Sequence, residues 1–372
     1  MALILTEEQV MLKDAVDGFL GEQAPIKHLR TLRDSKDADG ISRDLWRGFG
    51  EMGFAGVIIN EEHGGSGLGA VEAGVIAESL GRTLTPSPFL SSGILSATVL
   101  QAAGSDAQKG WLGKIAGGEA IVSLALDEGA KHAPHRIQTR YEHSGNGFKL
   151  NGAKAMVLDG HVADALIVVA DGDEGLSLFL IDPKMAGVEI ERTVMVDAHN
   201  AARITLKGVE VNADALIGEA GQGRDPLDKA LSLGRACAAA SLNGAGDQAF
   251  GITVEYLKTR QQFGKLIGEF QALQHRAAHL YTELELTKAA TLGALQAVDA
   301  GKETAGLSVS VAKAKAGRVA ELAVQEGVQM HGGVGMTDEF DIGLFMKRVR
   351  VLNETLGDHN YHTEQVARAR GY

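Results

Sequence analysis

The spacing of apolar residues predicts helices at the start of the chain. Leu12, Val16 and Leu20 recur every four residues, which places one apolar stripe along a helix. Thr6 and Gln9, three residues apart, predict a capping box where that helix begins. Helical patterns resume near residues 43 and 70, so residues 1–118 are predicted to form an N-terminal helical domain.

The pattern changes to short apolar runs near Gly118. Residues 121–126, 166–170 and 176–181 are apolar and are separated by turn residues, as is typical of β-strands. The dipeptide Asn151-Gly152 predicts a hairpin turn. Residues 119–222 are therefore predicted to form a middle β-domain.

Long helical patterns return after Gly223 and continue to the end. They cover residues 227–260, 271–300, 304–330 and 342–356. Residues 223–372 are predicted to form a C-terminal helical bundle, which makes the fold class α+β and multidomain.

Charge and composition exclude several classes of function. The 372 residues carry 36 basic and 48 acidic side chains, a net charge of −12, so a basic surface for nucleic acid or anionic membranes is not expected. No apolar run is long enough to span a bilayer, and MALILTEEQV lacks the basic start of a signal peptide. The lone Cys237 excludes an intramolecular disulfide and favours a cytoplasmic protein.

Familiar site motifs are incomplete in this chain. The glycines of GGSGLG have the wrong spacing for a dinucleotide-binding turn. His275 and His279 have the spacing of metal ligands on a helix, but no third ligand accompanies them, so a solvated helix face is favoured and no metal is expected. Cys237 lies among small residues and is interpreted as a packing residue.

Three segments together resemble the acyl-CoA dehydrogenase family. The first is Asn60-Glu61-Glu62-His63-Gly64-Gly65, where Asn60 replaces the proline of the family turn. The second is Arg260-Gln261-Gln262-Phe263-Gly264-Lys265, followed by Phe270-Gln271. The third is the segment from Val328 to Gly335, VQMHGGVG. Their order and spacing match the family over essentially the full length.

The resemblance implies a fold and a reaction. The fold would have an N-terminal helical domain, a β-barrel-like middle domain and a C-terminal four-helix bundle. The reaction would be α,β-dehydrogenation of an acyl-CoA thioester, with FAD as cofactor and an electron-transfer flavoprotein or a similar protein as acceptor. Such a reaction needs a base over Cα, an oriented flavin and hydrogen bonds to the thioester oxygen.

The resemblance also implies which residues bind FAD, across a subunit interface with a neighbouring chain. An arginine can fork onto a phosphate, amides can bond ribose or adenine, and glycines allow close backbone approach. The candidates are Arg260, Gln262, Phe263, Gln271, Gln329, Gly332 and Gly333. In the alternative interpretation, Arg260 and Gln271 merely cap helix ends.

The chain departs from the family where a catalytic base is expected. Aligned on Gly357, Leu356 stands at the position of the usual glutamate and Asp358 at that of a threonine. The other position used by the family for a base, in a Leu-Glu-Arg context, is Gly234 here. No catalytic residue is therefore predicted in this chain.

The flavin-binding positions of the middle domain are also altered. The family's Thr-Glu-Pro-x-x-Gly-Ser-Asp loop is replaced by Asp127-Glu128-Gly129-Ala130. Its Trp-Ile-Thr aligns with Met156-Val157-Leu158, so a hydroxyl that would bond the flavin is replaced by an isobutyl group.

This asymmetry resembles a non-catalytic subunit of a heteromeric acyl-CoA dehydrogenase. The small subunit of pimeloyl-CoA dehydrogenase and the paired enzymes of bacterial steroid side-chain breakdown are of this kind. The Gly-Asp-x-x-Tyr-His ending, from Gly357 to His362, is similar. A homologous subunit, in an α2β2 assembly, would supply the base and the flavin loop.

Two other interpretations stay open from the sequence. The chain could be a homomeric dehydrogenase with a relocated base, Asp358 or Glu354, although on a helix Glu354 points roughly 200° away from position 356. Some relatives of the family bind DNA, which the net charge of −12 disfavours. The acyl chain of the substrate is not indicated.

Overall fold

The computed structural model describes residues 2–372, so only Met1 of the predicted N-terminal domain lies outside it. The helices are α1 (Glu7–Gln23), α2 (Ile26–Asp34), α3 (Arg43–Glu51), α4 (Ala70–Thr83), α5 (Ala97–Ala103), α6 (Asp106–Ala116), α7 (Arg224–Thr259), α8 (Gln271–Asp299), α9 (Ala305–His331), α10 (Ile342–Glu354) and α11 (His359–Ala369). The strands are β1 (Val122–Ala125), β2 (Arg140–Ser144), β3 (Gly147–Leu158), β4 (Ala165–Gly172), β5 (Gly175–Ile181), β6 (Val188–Val194), β7 (Asn200–Asn212), β8 (Leu216–Ile217), β9 (Gln261–Gln262) and β10 (Lys265–Leu266).

The predicted order of helical, β and helical segments is confirmed. The capping box is present at the start of α1, where the Thr6 hydroxyl accepts from the Gln9 amide N–H at 3.3 Å and the Gln9 side-chain oxygen accepts from Thr6 N–H at 3.0 Å. The four long C-terminal helices begin and end within three residues of their predicted limits. Among residues 2–372, no helix combines the length and hydrophobicity that crossing a bilayer requires.

The middle domain is one mixed sheet. Its strand order is β6-β7-β3-β2-β4-β5-β8, and β1 pairs in parallel with β4. The core on this sheet includes Tyr141, Phe148 and Phe179, whose rings contact one another with centroids 5.1–5.7 Å apart. These aromatic contacts join β2, β3 and β5.

The predicted turn at Asn151-Gly152 is wrong. Both residues lie within β3, and the hairpin turn is formed earlier, by Gly145 and Asn146, between the paired residues Ser144 and Gly147. Gly152 lies instead at a shift in the register of β3 against β7, where a Cβ atom would lie 2.6 Å from Thr139. Gly152 is needed for close approach of the backbone, which the local sequence pattern does not separate from a turn.

Two compact units are formed from non-contiguous segments. One comprises residues 2–30, 70–85 and 235–372, and the other comprises residues 31–69 and 86–234. The predicted N-terminal domain therefore contributes helices to both units. The domain limits at 118/119 and 222/223 stay predictions.

Candidate functional site

Three segments of the helical unit converge on one small apolar cluster. Leu257 near the end of α7, Ile267 before α8 and Met330 at the end of α9 pack together, and each is less than a tenth exposed. This cluster fixes the end of α7, the start of α8 and the end of α9 at the same end of the bundle. We call this region the bundle end.

A tight hairpin projects from the bundle end. Strands β9 and β10 pair antiparallel around Phe263 and Gly264, whose φ angles of 53° and 79° are the positive values of a two-residue hairpin turn. Phe263 is 91% exposed, and its ring lies against Phe270 at 6.3 Å. The Lys265 ammonium lies 4.3 Å from the Phe270 ring centroid, which braces the base of the hairpin.

The end of α9 presents open backbone beside this hairpin. Gly332 has φ 65° and donates its N–H to the Gln329 carbonyl, and no atom lies within 4 Å of a Cβ built on Gly332 or Gly333. The His331 ring stacks on Tyr256 at 4.3 Å, and its Nδ1 donates to the Gly327 carbonyl at 2.7 Å. Burial lowers the pKa of His331, so the ring is neutral near pH 7.

The structure brings all seven candidate FAD residues to the bundle end. Their side chains or glycine backbones are exposed, at Arg260, Gln262, Phe263, Gln271, Gln329, Gly332 and Gly333. Within the described residues, no hydrogen bond or ion pair engages the side chains of Arg260, Gln271 or Gln329, and α8 has no side-chain cap. The helix-capping alternative for Arg260 and Gln271 is therefore unsupported.

This donor set fits the adenosine diphosphate part of FAD. A guanidinium, three amides and exposed glycine backbone without side chains are the kinds of group that bind phosphate, ribose and adenine. Among the described residues, no three His, Cys, Asp or Glu side chains come together as a metal site, and His275 and His279 are exposed on α8.

Leu356, the residue expected at the family's glutamate position when the chain is aligned on Gly357, lies in the turn between α10 and α11. It is 8% exposed and has φ 57°, an uncommon value for a residue with a branched side chain. Its carbonyl accepts from Arg235 Nε at 3.3 Å and from His362 Nε2 at 3.1 Å. The backbone turn is therefore held firmly, while the side chain that it presents has no acid–base chemistry.

A buried lysine also bonds to the backbone around this turn. Lys313 is fully buried, and its Nζ donates to the carbonyls of Leu352, Asn353 and Gly357 at 3.0–3.1 Å. Burial lowers the pKa of Lys313 to about 7. Its three carbonyl acceptors match the three protons of an ammonium group. Two of them, on Leu352 and Asn353, lie in the last turn of α10, where carbonyls lack helical partners.

The two alternative bases are engaged in ordinary helix contacts. Asp358 caps α11, and its carboxylate accepts from the Tyr361 N–H at 2.7 Å. Glu354 pairs with Arg350 one helical turn earlier, at 3.1 Å. Each carboxylate thus has a structural partner.

In the β unit, we call residues 127–130 the altered loop, because they stand where the family's flavin loop is expected. Its two carboxylates are hydrogen-bonded by the residues that follow it. The Asp127 carboxylate accepts from His132 Nδ1 at 2.9 Å and from the Ala133 N–H at 3.2 Å. The Glu128 carboxylate accepts from the Gln138 and Thr139 N–H groups at 2.6 and 2.9 Å. The carboxylates of Asp127 and Glu128 are therefore occupied by nearby groups of the chain itself.

Lys154, on β3, forms hydrogen bonds to this loop. Its side chain is completely buried, and Nζ donates to Glu128 at 2.7 Å and to the Leu126 carbonyl at 3.1 Å. Burial lowers the pKa of Lys154 to about 8, against the opposing effect of the Glu128 carboxylate. Beyond it, Met156 is 46% exposed with φ 54°, and Leu158 offers no hydrogen-bonding group.

Comparison with known proteins assigns the family. Sequence models of three acyl-CoA dehydrogenase domains match the chain, the N-terminal domain over residues 6–119, the middle domain over 127–209 and the C-terminal domain over 221–370. The chain belongs to the acyl-CoA dehydrogenase family. Its fold is that of this family, whose members are FAD-dependent oxidoreductases.

Similar proteins come from several sources. The rat short/branched chain specific acyl-CoA dehydrogenase is 28% identical, covering 98% of this chain and 85% of its own. A chain of the ChsE4-ChsE5 complex from Mycobacterium tuberculosis is 26% identical with a TM-score of 0.90, covering 100% and 99% of the two chains. A chain of the Tcur3481-Tcur3483 steroid acyl-CoA dehydrogenase variant is 28% identical with a TM-score of 0.89, covering 98% of each.

The residues that shape both altered regions are not singled out by any sequence motif. Lys154 and Lys313 are buried, and Arg235 is notable in the sequence only as the neighbour of Gly234. Lys313 carries a signal that could have identified it, because Val309, Ala312 and Ala316 surround it on an apolar helix face. A lone cation on such a face must find acceptors.

Replacing Lys154 with methionine is expected to loosen the altered loop. Removal of one partner from a buried ion pair leaves the Glu128 carboxylate uncompensated and costs about 3–5 kcal/mol. Urea denaturation should show that loss, and amide exchange should accelerate at Gln138 and Thr139. Lys149→Met, on the same strand, is the matched control and should leave both unchanged. Equal stability of the two variants would contradict the assigned role.

Proposed function

We propose that this chain is the non-catalytic subunit of a heteromeric FAD-dependent acyl-CoA dehydrogenase. It lends the bundle end to an FAD held mainly by a homologous partner, and that partner carries the catalytic glutamate. The observation that carries the proposal is the contrast between two regions. The bundle end keeps its polar side chains exposed, whereas the altered loop and the Leu356 turn are closed by the chain's own groups.

The role of the bundle end follows from its chemistry. The Arg260 guanidinium would bind the diphosphate, and the side chains of Gln262, Gln271 and Gln329 would bond phosphate, ribose or adenine edges. Phe263 would add an apolar contact to the cofactor. Gly332 and Gly333 let the cofactor approach the backbone. FAD, when bound, accepts the hydride that leaves Cβ of the acyl thioester. In this chain, Leu356 cannot remove the Cα proton, so the partner must do so.

The similar structures support a partner of the same family. One of them is a complex of ChsE4 with ChsE5, and another is the steroid acyl-CoA dehydrogenase pair Tcur3481-Tcur3483. We infer an α2β2 assembly in the cytoplasm that acts on an acyl-CoA, with a steroid side chain as the first substrate to test. An electron-transfer flavoprotein or a similar protein serves as acceptor, and a third similar structure is associated with the electron transferring flavoprotein of Acidaminococcus fermentans.

A homomeric enzyme with a relocated base is less well supported. Glu354 and Asp358 are the carboxylates nearest in sequence to the usual position, but both have structural partners. A relocated base would also need a held flavin, and the sequence of this chain has Asp127-Glu128-Gly129-Ala130 where the family's flavin loop is expected.

This chain produced alone should be colourless and inactive. Co-expressed with a family member that has an intact glutamate and flavin loop, ideally from the adjacent reading frame, it should form a complex with one FAD per pair of chains. Visible absorbance of the flavin and light scattering measure both quantities. A yellow homotetramer of this chain that reduces an acceptor with an acyl-CoA would refute the proposal.

Arg260→Ala should weaken FAD binding in the complex while leaving the fold intact. Loss of a charge-assisted hydrogen bond corresponds to roughly a tenfold to a hundredfold loss in affinity. Lys258→Ala is the control, because it removes another exposed charge near the end of α7, one that is paired with Glu255 at 2.7 Å. Flavin fluorescence titration of the two variants should separate them. Equal affinities would show that Arg260 does not bind the cofactor.

Leu356→Glu in this chain should add no activity to that of the complex. A placed general base is worth about 10²–10⁴-fold, but only when a flavin and a thioester are already aligned. The altered loop and Leu158 provide no such flavin site. Turnover per complex is compared with Leu356→Gln, which introduces similar polarity without a base. If the glutamate variant roughly doubled turnover over the glutamine variant, this chain would contain a second competent site.

A further inference from the structure

A cavity of about 310 Å³ lies within the helical unit. Its walls come from the N-terminal segment, α1, α4, α7 and α8. None of the candidate FAD residues lines it, and neither does Leu356. The volume is at the lower end of the range for small-molecule sites. The cavity is therefore separate from the regions described above.

The cavity has an apolar end and a charged end. Helix α4 lines it over roughly 17 Å with residues of one face, which are Val71, Gly74, Val75, Glu78 and Arg82. Gly74 lies against Leu295 of α8, where a Cβ on the glycine would be 2.3 Å from the leucine side chain. Two turns further along α4, Arg82 pairs with the Asp247 carboxylate, to which Lys288 of α8 also binds. The two helices therefore run antiparallel, and their charged residues lie together at one end.

The N-terminal segment covers the apolar end. Residues 3–5, Leu-Ile-Leu, line the cavity, and a Cβ on Gly293 of α8 would lie 3.3 Å from the Leu3 side chain. The Gln296 side chain donates to the Ala2 carbonyl at 2.9 Å, which holds the segment on α8. Aliphatic side chains thus surround this end, and they favour an alkyl group over water.

Three cations line the charged end, together with one carboxyl group. Lys13, Arg82 and Lys288 line the cavity, and their side chains are 27%, 30% and 33% exposed, so each has surface that a bound molecule can contact. The carboxyl group is that of Glu78. Burial raises the pKa of Glu78, which favours its neutral form. The wall of this end is therefore positively charged.

The cations keep hydrogen-bond donors that their own partners do not use. Among the described residues, the Arg82 side chain makes one hydrogen bond, from Nη1 to Asp247, and a guanidinium has five N–H donors. Lys13 Nζ bonds to Asp17 at 3.0 Å but lies 3.8 Å from Glu78, beyond hydrogen-bond distance. The carboxylates that pair with the three cations from outside the cavity wall are Asp17, Asp247 and Glu285. These pairings offset part of the positive charge and hold the cations in place.

We propose that this cavity binds a small carboxylate that carries an unbranched alkyl chain. The carboxylate accepts hydrogen bonds from the Arg82 guanidinium and the Lys13 ammonium, and the neutral Glu78 carboxyl can donate to it. The alkyl chain extends along α4 and α8 towards the leucines of the N-terminal segment. An amphipathic acid matches both ends of the cavity. The proposal is independent of the partner subunit and of FAD.

Binding of octanoate and of octan-1-ol to the full chain tests the proposal. The two probes have chains of equal length and differ in the charge of the head group. Isothermal titration calorimetry should show roughly tenfold to a hundredfold tighter binding of octanoate, because its hydrogen bonds are charge-assisted. Acetate, which has the same head group without the chain, should bind more weakly than octanoate. Equal affinities for octanoate and octan-1-ol would overturn the proposal, and so would the absence of octanoate binding.

Variants of the charged end test where octanoate binds. Arg82→Gln should lower the affinity for octanoate to near that for octan-1-ol. Arg276→Gln is the matched control, because Arg276 pairs with Glu326 on the helical unit but does not line the cavity, and it should leave both affinities unchanged. An unchanged preference for octanoate in folded Arg82→Gln would show that this end of the cavity does not bind the carboxylate.

A cavity-filling variant separates this site from any other apolar site on the chain. Ala240 lines the cavity and is 2% exposed, so Ala240→Leu should weaken the binding of both octanoate and octan-1-ol. Circular dichroism establishes that each variant is folded. Wild-type affinity for octanoate in folded Ala240→Leu would place the acid elsewhere and would overturn the proposal.

Discussion

Two completely buried ammonium groups shape the regions in which this chain departs from its family. An ammonium removed from water must have its protons accepted by protein atoms, since otherwise its burial costs several kcal/mol. Lys154 meets this requirement with Glu128 and the Leu126 carbonyl, and Lys313 meets it with three carbonyls around the end of α10. The altered loop and the Leu356 turn are consequently fixed by internal contacts.

The bundle end differs from these two regions, because its polar side chains are exposed. The side chains of Arg260, Gln271 and Gln329 are exposed and bond to no other described residue, so their hydrogen-bonding capacity is available to an incoming phosphate or base. The supporting groups beneath them are well packed, with Leu257, Ile267 and Met330 buried and the His331 ring stacked on Tyr256. A rigid base with exposed polar tips suits a surface that completes a binding site on another molecule.

Much of the fold could be predicted from local patterns. The Thr6–Gln9 capping box and the four long helices follow from spacing alone, because a helix imposes its period on the sequence. The error at Asn151-Gly152 has a physical cause, since a glycine required by close packing looks the same as one required by a turn. The contribution of residues 1–118 to two compact units depends on long-range packing that no local window contains.

The bundle end could be predicted from the sequence more fully than the contacts of the altered loop and the Leu356 turn. The residues of the bundle end lie in contiguous motifs, so the sequence itself brings most of them together. The closure of the altered loop joins Glu128 to Lys154, 26 residues apart, and the Leu356 turn depends on Arg235, 121 residues away. Pairings at such distances are set by the tertiary fold and leave no pattern in one sequence.

The Phe263 hairpin has a consequence for the free chain. An aromatic ring exposed over 91% of its surface keeps apolar area in contact with water, and covering that area with another molecule is favourable. In the proposed complex the ring would be covered only after assembly, so its exposure would mark the unassembled chain.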